Sequence, residues 1–134
     1  MISIRDFVSE DYGEVVKLLV DCYVDPPIDE SELAGLCLVA EDNGSIVGCI
    51  YALAGASSKA YVDFLAVRED YRGSICFALL LCEIEKKLKV NGVKRFVFNV
   101  EKYNHDVRAH LLKYMVRYRI TKLRELDYFS KEIG

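Results

Sequence analysis

Residues 61–74, Tyr-Val-Asp-Phe-Leu-Ala-Val-Arg-Glu-Asp-Tyr-Arg-Gly-Ser, gather the groups of this chain best suited to chemistry, and they run straight into the apolar segment Ile75 to Leu88. The order of residue types predicts a buried strand, a short turn and a helix opening just after Arg72-Gly73. A helix that starts there aims its backbone N–H groups and the positive end of its dipole at the turn, which makes an anion site. Asp63 is an acid inside an otherwise apolar strand, where a carboxylate is costly to bury unless it is paired or raised in pKa. That makes it the leading candidate for a general base. The other reading is a structural carboxylate that accepts hydrogen bonds from a neighbouring loop. Cys76 falls at the helix start, where the dipole lowers a thiol pKa if the end is open to solvent; buried in the core it would be inert.

Asp63-Phe64-Leu65-Ala66-Val67 followed by Tyr71-Arg72-Gly73 resembles the acetyl-coenzyme A loop of the GNAT superfamily of N-acetyltransferases. There, a strand of the type DFLAV leads through P-x-Y-R-G-x-G-x-G into a helix. The resemblance implies that acetyl-CoA is the cofactor. Its pantetheine arm would lie on the strand backbone around Leu65, Ala66 and Val67. Its pyrophosphate would face Arg72 and the amides of Gly73, Ser74, Ile75, Cys76 and Phe77. Asn104, at the opening of the last helix, joins the cofactor-binding set. Ile75 and Phe77 stand where the family carries Gly and Gly or Ala. Ile75 is expected to resist a positive φ and Phe77 to crowd the phosphate path, so the cradle is expected to be weakened.

In the family, a tyrosine seven residues after that Asn supplies the general acid. Here the position is Leu111, which leaves His110 and Tyr114 as candidates to protonate the leaving thiolate. Met115-Val116 replaces the Gly-Phe usual after this helix. The bland reading is that Tyr114 packs in the core and His110 lies on a polar face. The implied activity is transfer of an acetyl group from acetyl-CoA to a small-molecule or protein amine, by direct attack on the thioester. The alternative is a catalytically inactive GNAT-fold structural or interaction protein, similar to those of short-tailed phages, virion components among them. Tyr71-Arg72-Gly73 and Asp63 favour the enzyme; the missing glycines, tyrosine and Gly-Phe favour the module.

Other chemistries find little footing. The two histidines, His105 and His110, have no cysteine near them in sequence, so no metal site is expected. There is no G-x-S-x-G elbow and no Walker A loop. Lys113, Arg117, Arg119, Lys122 and Arg124, interleaved with Tyr114 and Tyr118, could form a basic aromatic patch. The pI near 5.4 argues against a dedicated nucleic-acid binder.

The elements that must position these groups follow from periodicity and turn chemistry. Residues 2–7 alternate as a strand. Ser9-Glu10-Asp11 offers an N-cap and first-turn acids for a helix carrying Tyr12, Val15, Val16, Leu19, Cys22 and Tyr23, which Asp25-Pro26-Pro27 stops. Asp29 to Gly35 reads as a short second turn on what the resemblance makes the acceptor side. Leu36–Ala40 and Ser45–Leu53 flank an Asn43-Gly44 hairpin turn. Gly55 to Ser58 turns into the strand 61–67. The following helix carries Phe77, Leu81, Ile84 and Leu88 on one stripe. It ends with Lys86, Lys87 and Lys89 and an Asn91-Gly92 cap. Phe96–Val100 is a strand. A helix capped by Asn104 or Asp106 carries Val107, Leu111, Tyr114 and Tyr118, and Ile120–Leu123 and Leu126–Ile133 end the chain as strands.

This order gives an α+β GNAT-like acyl-CoA N-acyltransferase fold, a mixed central sheet with helices on both faces, as a single domain over residues 1–134. The final strands, with Ile120, Leu123, Tyr128 and Phe129 beside Arg119, Lys122 and Arg124, lie near a sheet edge and predict a homodimer or larger assembly.

Composition agrees with a folded domain, at 52% hydrophobic and 29% charged residues. No window approaches the roughly 20 apolar residues of a membrane span, and the N-terminus has no signal-peptide layout. The five cysteines lack C-x-x-C spacing and lie in apolar runs, so buried thiols of a cytoplasmic protein are expected, or of a virion protein in the alternative reading. Through Arg72 there are 5 Lys/Arg against 14 Asp/Glu, a net −9, and the remainder carries 13 against 7, a net +6. The basic half suits an anionic ligand such as coenzyme A, or it is an ordinary solvated face.

Overall fold

The computed structural model describes residues 1–22, 36–54, 59–71, 75–101, 119–123 and 126–132, with backbone alone for Cys22, Ala54, Asp63 and residues from 97 onward. The elements are β1 (Ser3–Asp6), α1 (Tyr12–Cys22), β2 (Leu36–Asp42), β3 (Ser45–Ala54), β4 (Lys59–Val67), α2 (Cys76–Val90), β5 (Arg95–Glu101), β6 (Arg119–Leu123) and β7 (Leu126–Glu132). They build one seven-stranded sheet in the order β1-β2-β3-β4-β5-β7-β6. All neighbours are antiparallel except β4 and β5, which α2 joins as a parallel crossover.

The β2–β3 hairpin turns at Asn43 and Gly44, with φ of 53° and 80°. Positive φ at both central residues matches the right-handed twist of the strands, and Asn-Gly adopts it at low cost. Strands β2 and β3 read as continuous apolar runs because both faces are covered. Cys37, Val39, Cys49 and Tyr51 pack against α1 through Val15, Leu18 and Leu19. Leu38, Ala40, Ile50 and Val62 pack against α2 through Phe77, Leu80, Leu81, Ile84 and Leu88.

The α2 stripe is buried as its spacing predicts, and the helix ends in a Schellman cap. Val93 N–H donates to the Leu88 carbonyl at 3.0 Å and Gly92 N–H to that of Lys89 at 3.1 Å, with Gly92 at φ 79°. Val93 and Leu88 are both buried in the same core, which supplies the hydrophobic contact of that motif.

The start of α1 differs from expectation. Residues Ser9–Asp11 form a 3-10 turn whose N-cap is Val8, and the Asp11 carboxylate accepts the Val8 N–H at 2.9 Å. Asp11 serves here instead of Ser9 because its carboxylate is already fixed by Arg5. The Arg5 guanidinium donates to both Asp11 oxygens, at 2.7 and 2.8 Å, and to Glu41 at 2.8 Å. That fork ties β1, the 3-10 turn that leads into α1, and β2 together.

Two further expectations change. Cys37, Cys49 and Cys76 are buried, but Cys82 is exposed, because it falls on the solvent side of α2 opposite the stripe. Of the two final strands only β6 is an edge; β7 lies between β5 and β6, so Tyr128 and Phe129 belong to an interior strand. The second turn at Asp29 to Gly35, the turn at 55–58 and the helix with Val107, Leu111, Tyr114 and Tyr118 lie outside the described residues.

Candidate functional site

The parallel ladder between β4 and β5 is short. It registers Lys59↔Arg95, Ala60↔Phe96 and Tyr61↔Val97, while β4 continues to Val67 and β5 to Glu101. At the point where that ladder ends, β4 is also bulged against β3. Ala52 pairs with Val62 and Tyr51 with Phe64, leaving Asp63 as the extra residue. A bulge of this kind reverses the alternation of side chains and re-aims the strand, and bulges gather beside active sites for that reason. The reversal is visible here. Ala60 and Val62 lie in the α2-side core, then Leu65 and Val67 do, while Phe64 and Ala66 join the α1-side core. Phe64 stacks on Tyr51 with ring centroids 5.2 Å apart.

The turn that leaves β4 is tied down on both sides. Arg68 N–H donates to the Val47 carbonyl and Tyr71 N–H to that of Arg68, both at 2.8 Å, across the 3-10 turn Glu69–Tyr71. The Arg68 guanidinium forks onto Asp70 at 2.7 and 2.9 Å and lies 5.0 Å from the centre of the Tyr71 ring. Tyr71 in turn donates its hydroxyl to Asp42 Oδ2 at 2.6 Å, and the other oxygen of Asp42 receives the Met1 ammonium at 2.9 Å. The Tyr71 hydroxyl and that ammonium together hold the Asp42 carboxyl below its ordinary range.

Helix α2 then opens at Ile75, whose φ of −72° and ψ of −7° are ordinary helical values and whose side chain forms no cap. Its first turn is seated on β3 at Gly48. A Cβ there would stand 3.0 Å from both Cys76 Sγ and Leu80 Cδ1 and 3.2 Å from the Ala66 carbonyl. Since Gly48 pairs with Val67, this contact sets the positive end of α2 at the carboxyl end of β4.

The expectation of a weakened cradle rests on residues 72–77, of which 72–74 lie outside the described residues. Ile75 needs no positive φ, and Phe77 is only 7% exposed because it is turned into the α2-side core. Cys76 is fully buried, and burial pushes its thiol up to about 11, so the thiol stays protonated at neutral pH. Leu65, Ala66, Val67, Ile75, Cys76 and Phe77 therefore converge where β4 ends and α2 begins. The backbone of Asp63 belongs to the same region. Arg72, Gly73, Ser74, Asn104, His110 and Tyr114 lie outside the described residues. The residue that sequence reasoning missed is Asp42. Its only signal was its position just before the Asn-Gly turn, and its contact with Tyr71 is a product of hairpin register and not of spacing.

The whole arrangement has close relatives in shape. A family model described as acetyltransferase (GNAT) family matches residues 2–117. No curated protein matches the chain. N-acetylglutamate synthase from Neisseria gonorrhoeae, solved with coenzyme A and N-acetyl-glutamate, superposes with a TM-score of 0.80 at 15% identity. That match covers 100% of this chain, which spans only 35% of the synthase chain. PaiA N-acetyltransferase from Thermoplasma acidophilum, solved with coenzyme A, gives 0.77 at 18% identity, covering 98% of this chain and 99% of its own. The ribosomal-protein-S18-alanine N-acetyltransferase from Escherichia coli gives 0.77 at 16% identity, covering 100% and 95%. At such identities the superpositions speak for the fold, and the family match rests on sequence. The strand order, the early end of the β4/β5 ladder and the family match agree: the chain belongs to the GNAT family of acetyltransferases.

Proposed function

We propose that the protein transfers an acetyl group from acetyl-CoA to an amine. The observation that carries this reading is the early end of the β4/β5 ladder, just before the Asp63 bulge, with the start of α2 at the end of the same strand. A slot between two strands suits an extended pantetheine arm, and a helix N-terminus at its end suits a pyrophosphate. The ordinary helical φ of Ile75 and the burial of Phe77 support that ligand class at the start of α2. The coenzyme A in the Neisseria and Thermoplasma relatives supports the same ligand class.

Acetyl-CoA would supply the activated thioester carbonyl. The backbone at Leu65, Ala66 and Val67 would hold its arm, and Arg72 with the amides from Gly73 to Phe77, Ser74, Ile75 and Cys76 included, would hold its phosphates. Asn104 completes this binding set. Asp63 would take, directly or through water, the proton that the amine sheds as its nitrogen attacks the thioester carbonyl. His110 or Tyr114 would return a proton to the departing sulfur. The high pKa of Cys76 favours direct attack by the amine, because a thiol held at about 11 is a poor covalent carrier at neutral pH.

This reading treats the chain as one domain working in a reducing cytoplasm and assigns any self-association to the β6 edge. The test is to incubate the protein with acetyl-CoA and a panel of amino acids, polyamines and peptides while following released thiol and acetylated product. Acetylated amine at a rate above the uncatalysed reaction is expected. A protein that binds no coenzyme A and releases no thiol is the repurposed interaction module instead.

A further inference from the structure

We propose that Asp42 is a positioning residue for cofactor binding, acting through the hydroxyl of Tyr71; the inference rests on the acetyl-CoA reading above. Three observations converge on it. Tyr71 is the last residue of the 3-10 turn that leaves β4, and Arg72, which that reading puts on the pyrophosphate, follows immediately. The Tyr71 hydroxyl reaches Asp42 Oδ2 at 2.6 Å, across 29 positions of sequence, and so ties the turn to the β2–β3 hairpin. The ring of Tyr71 is covered by the Arg68 guanidinium, which Asp70 fixes with two bonds. The phenol is thus held at its face and at its tip. A short hydrogen bond to a carboxylate is the directional part of that clamp.

The Asp42 carboxylate is far from the ligand's reacting atoms on this account. It touches neither the amine nor the thioester. Its effect is to restrict the turn that leaves β4 ahead of α2, so that less is left to order when the phosphates bind, which spares the ordering cost on binding.

The experiment measures coenzyme A binding by calorimetry, and steady-state kinetics, for the wild type, Tyr71→Phe, Asp42→Ala and the double variant. Melting temperature serves as a control for folding. Tyr71→Phe should weaken coenzyme A binding about tenfold, the scale of one hydrogen bond to a charged group. KM for acetyl-CoA should rise in parallel while kcat stays within about twofold, since the clamp acts on binding and not on the transition state. Asp42→Ala should do the same, and the double variant should be no worse than either single one. Hydrogen exchange without ligand should quicken at residues 75–79 in each variant. If the wild type binds coenzyme A and Tyr71→Phe binds it equally well, the positioning role is wrong and the function stands. Additive losses in the double variant would also overturn the coupling. A wild type that binds no coenzyme A removes both proposals together.

Discussion

Asp11 is the one buried charged side chain among the described residues, at 6% exposure, and its environment makes a prediction about acid. The Arg5 fork, followed by the Val8 N–H, holds its carboxyl below the usual range against the opposing effect of burial. A carboxyl depressed in the folded state stabilises the fold above its unfolded pKa of about 3.9 and loses that contribution as pH falls through the folded value. Asp11→Asn should cost about 2 kcal/mol at pH 7, the scale of hydrogen bonds to a charged group, and progressively less below about pH 4. Urea unfolding of both proteins across that range checks this; a pH-independent difference would remove the ion pair from the account. Asp63 makes the functional counterpart. Asp63→Asn should lower turnover roughly a hundredfold at neutral pH and leave coenzyme A affinity nearly unchanged. Equal activity across the pH range would return it to a structural role. Asp63 was visible in the sequence as an acid in an apolar strand. Its position as the bulged residue was not, because a bulge is a matter of register between two strands.

The elements were more legible than the site they build. The α2 stripe, the Asn43-Gly44 turn and the Gly92 cap are local signals, set by periodicity and by φ, and each is found where the chain predicts it. What a local reading missed was direction. Ile75 and Phe77 read as obstacles because they stand where the family carries Gly and Gly or Ala. Yet Phe77 belongs to the core stripe and Ile75 opens the helix at an ordinary φ. The glycine that matters for docking is Gly48, in another strand. Gly48→Ala would set a methyl 3.0 Å from Cys76 Sγ and Leu80 Cδ1 and 3.2 Å from a backbone carbonyl, so the first turn of α2 must shift. Overpacking of this kind costs about 1–3 kcal/mol. The expected result is a lower melting temperature together with weaker coenzyme A binding. Gly13, with no atom near its Cβ position, is the control: Gly13→Ala should leave binding unchanged. If both variants bind coenzyme A like the wild type, α2 does not set the cradle.

At the scale of the molecule, the sheet is one continuous frame whose β4/β5 ladder ends after three pairs. Five of its seven strands run antiparallel to every neighbour, and the other two, β4 and β5, share the short parallel ladder that the crossover through α2 allows. β5 stays paired along its length with β7, from Arg95↔Glu132 to Glu101↔Leu126, so the early end of the β4/β5 ladder leaves that side intact. The order of elements announced this frame, whereas the early end of the ladder came only from three-dimensional register. The central claim is that acetyl-CoA is held together by the strand backbone where this ladder ends and by the start of α2. It is tested most directly by thermal unfolding with coenzyme A titrated to millimolar concentration. Ligand at a hundred times its Kd should add about 2.7 kcal/mol of stability, a rise in Tm of roughly 10 °C. A melt that does not move at millimolar coenzyme A or acetyl-CoA would contradict the account.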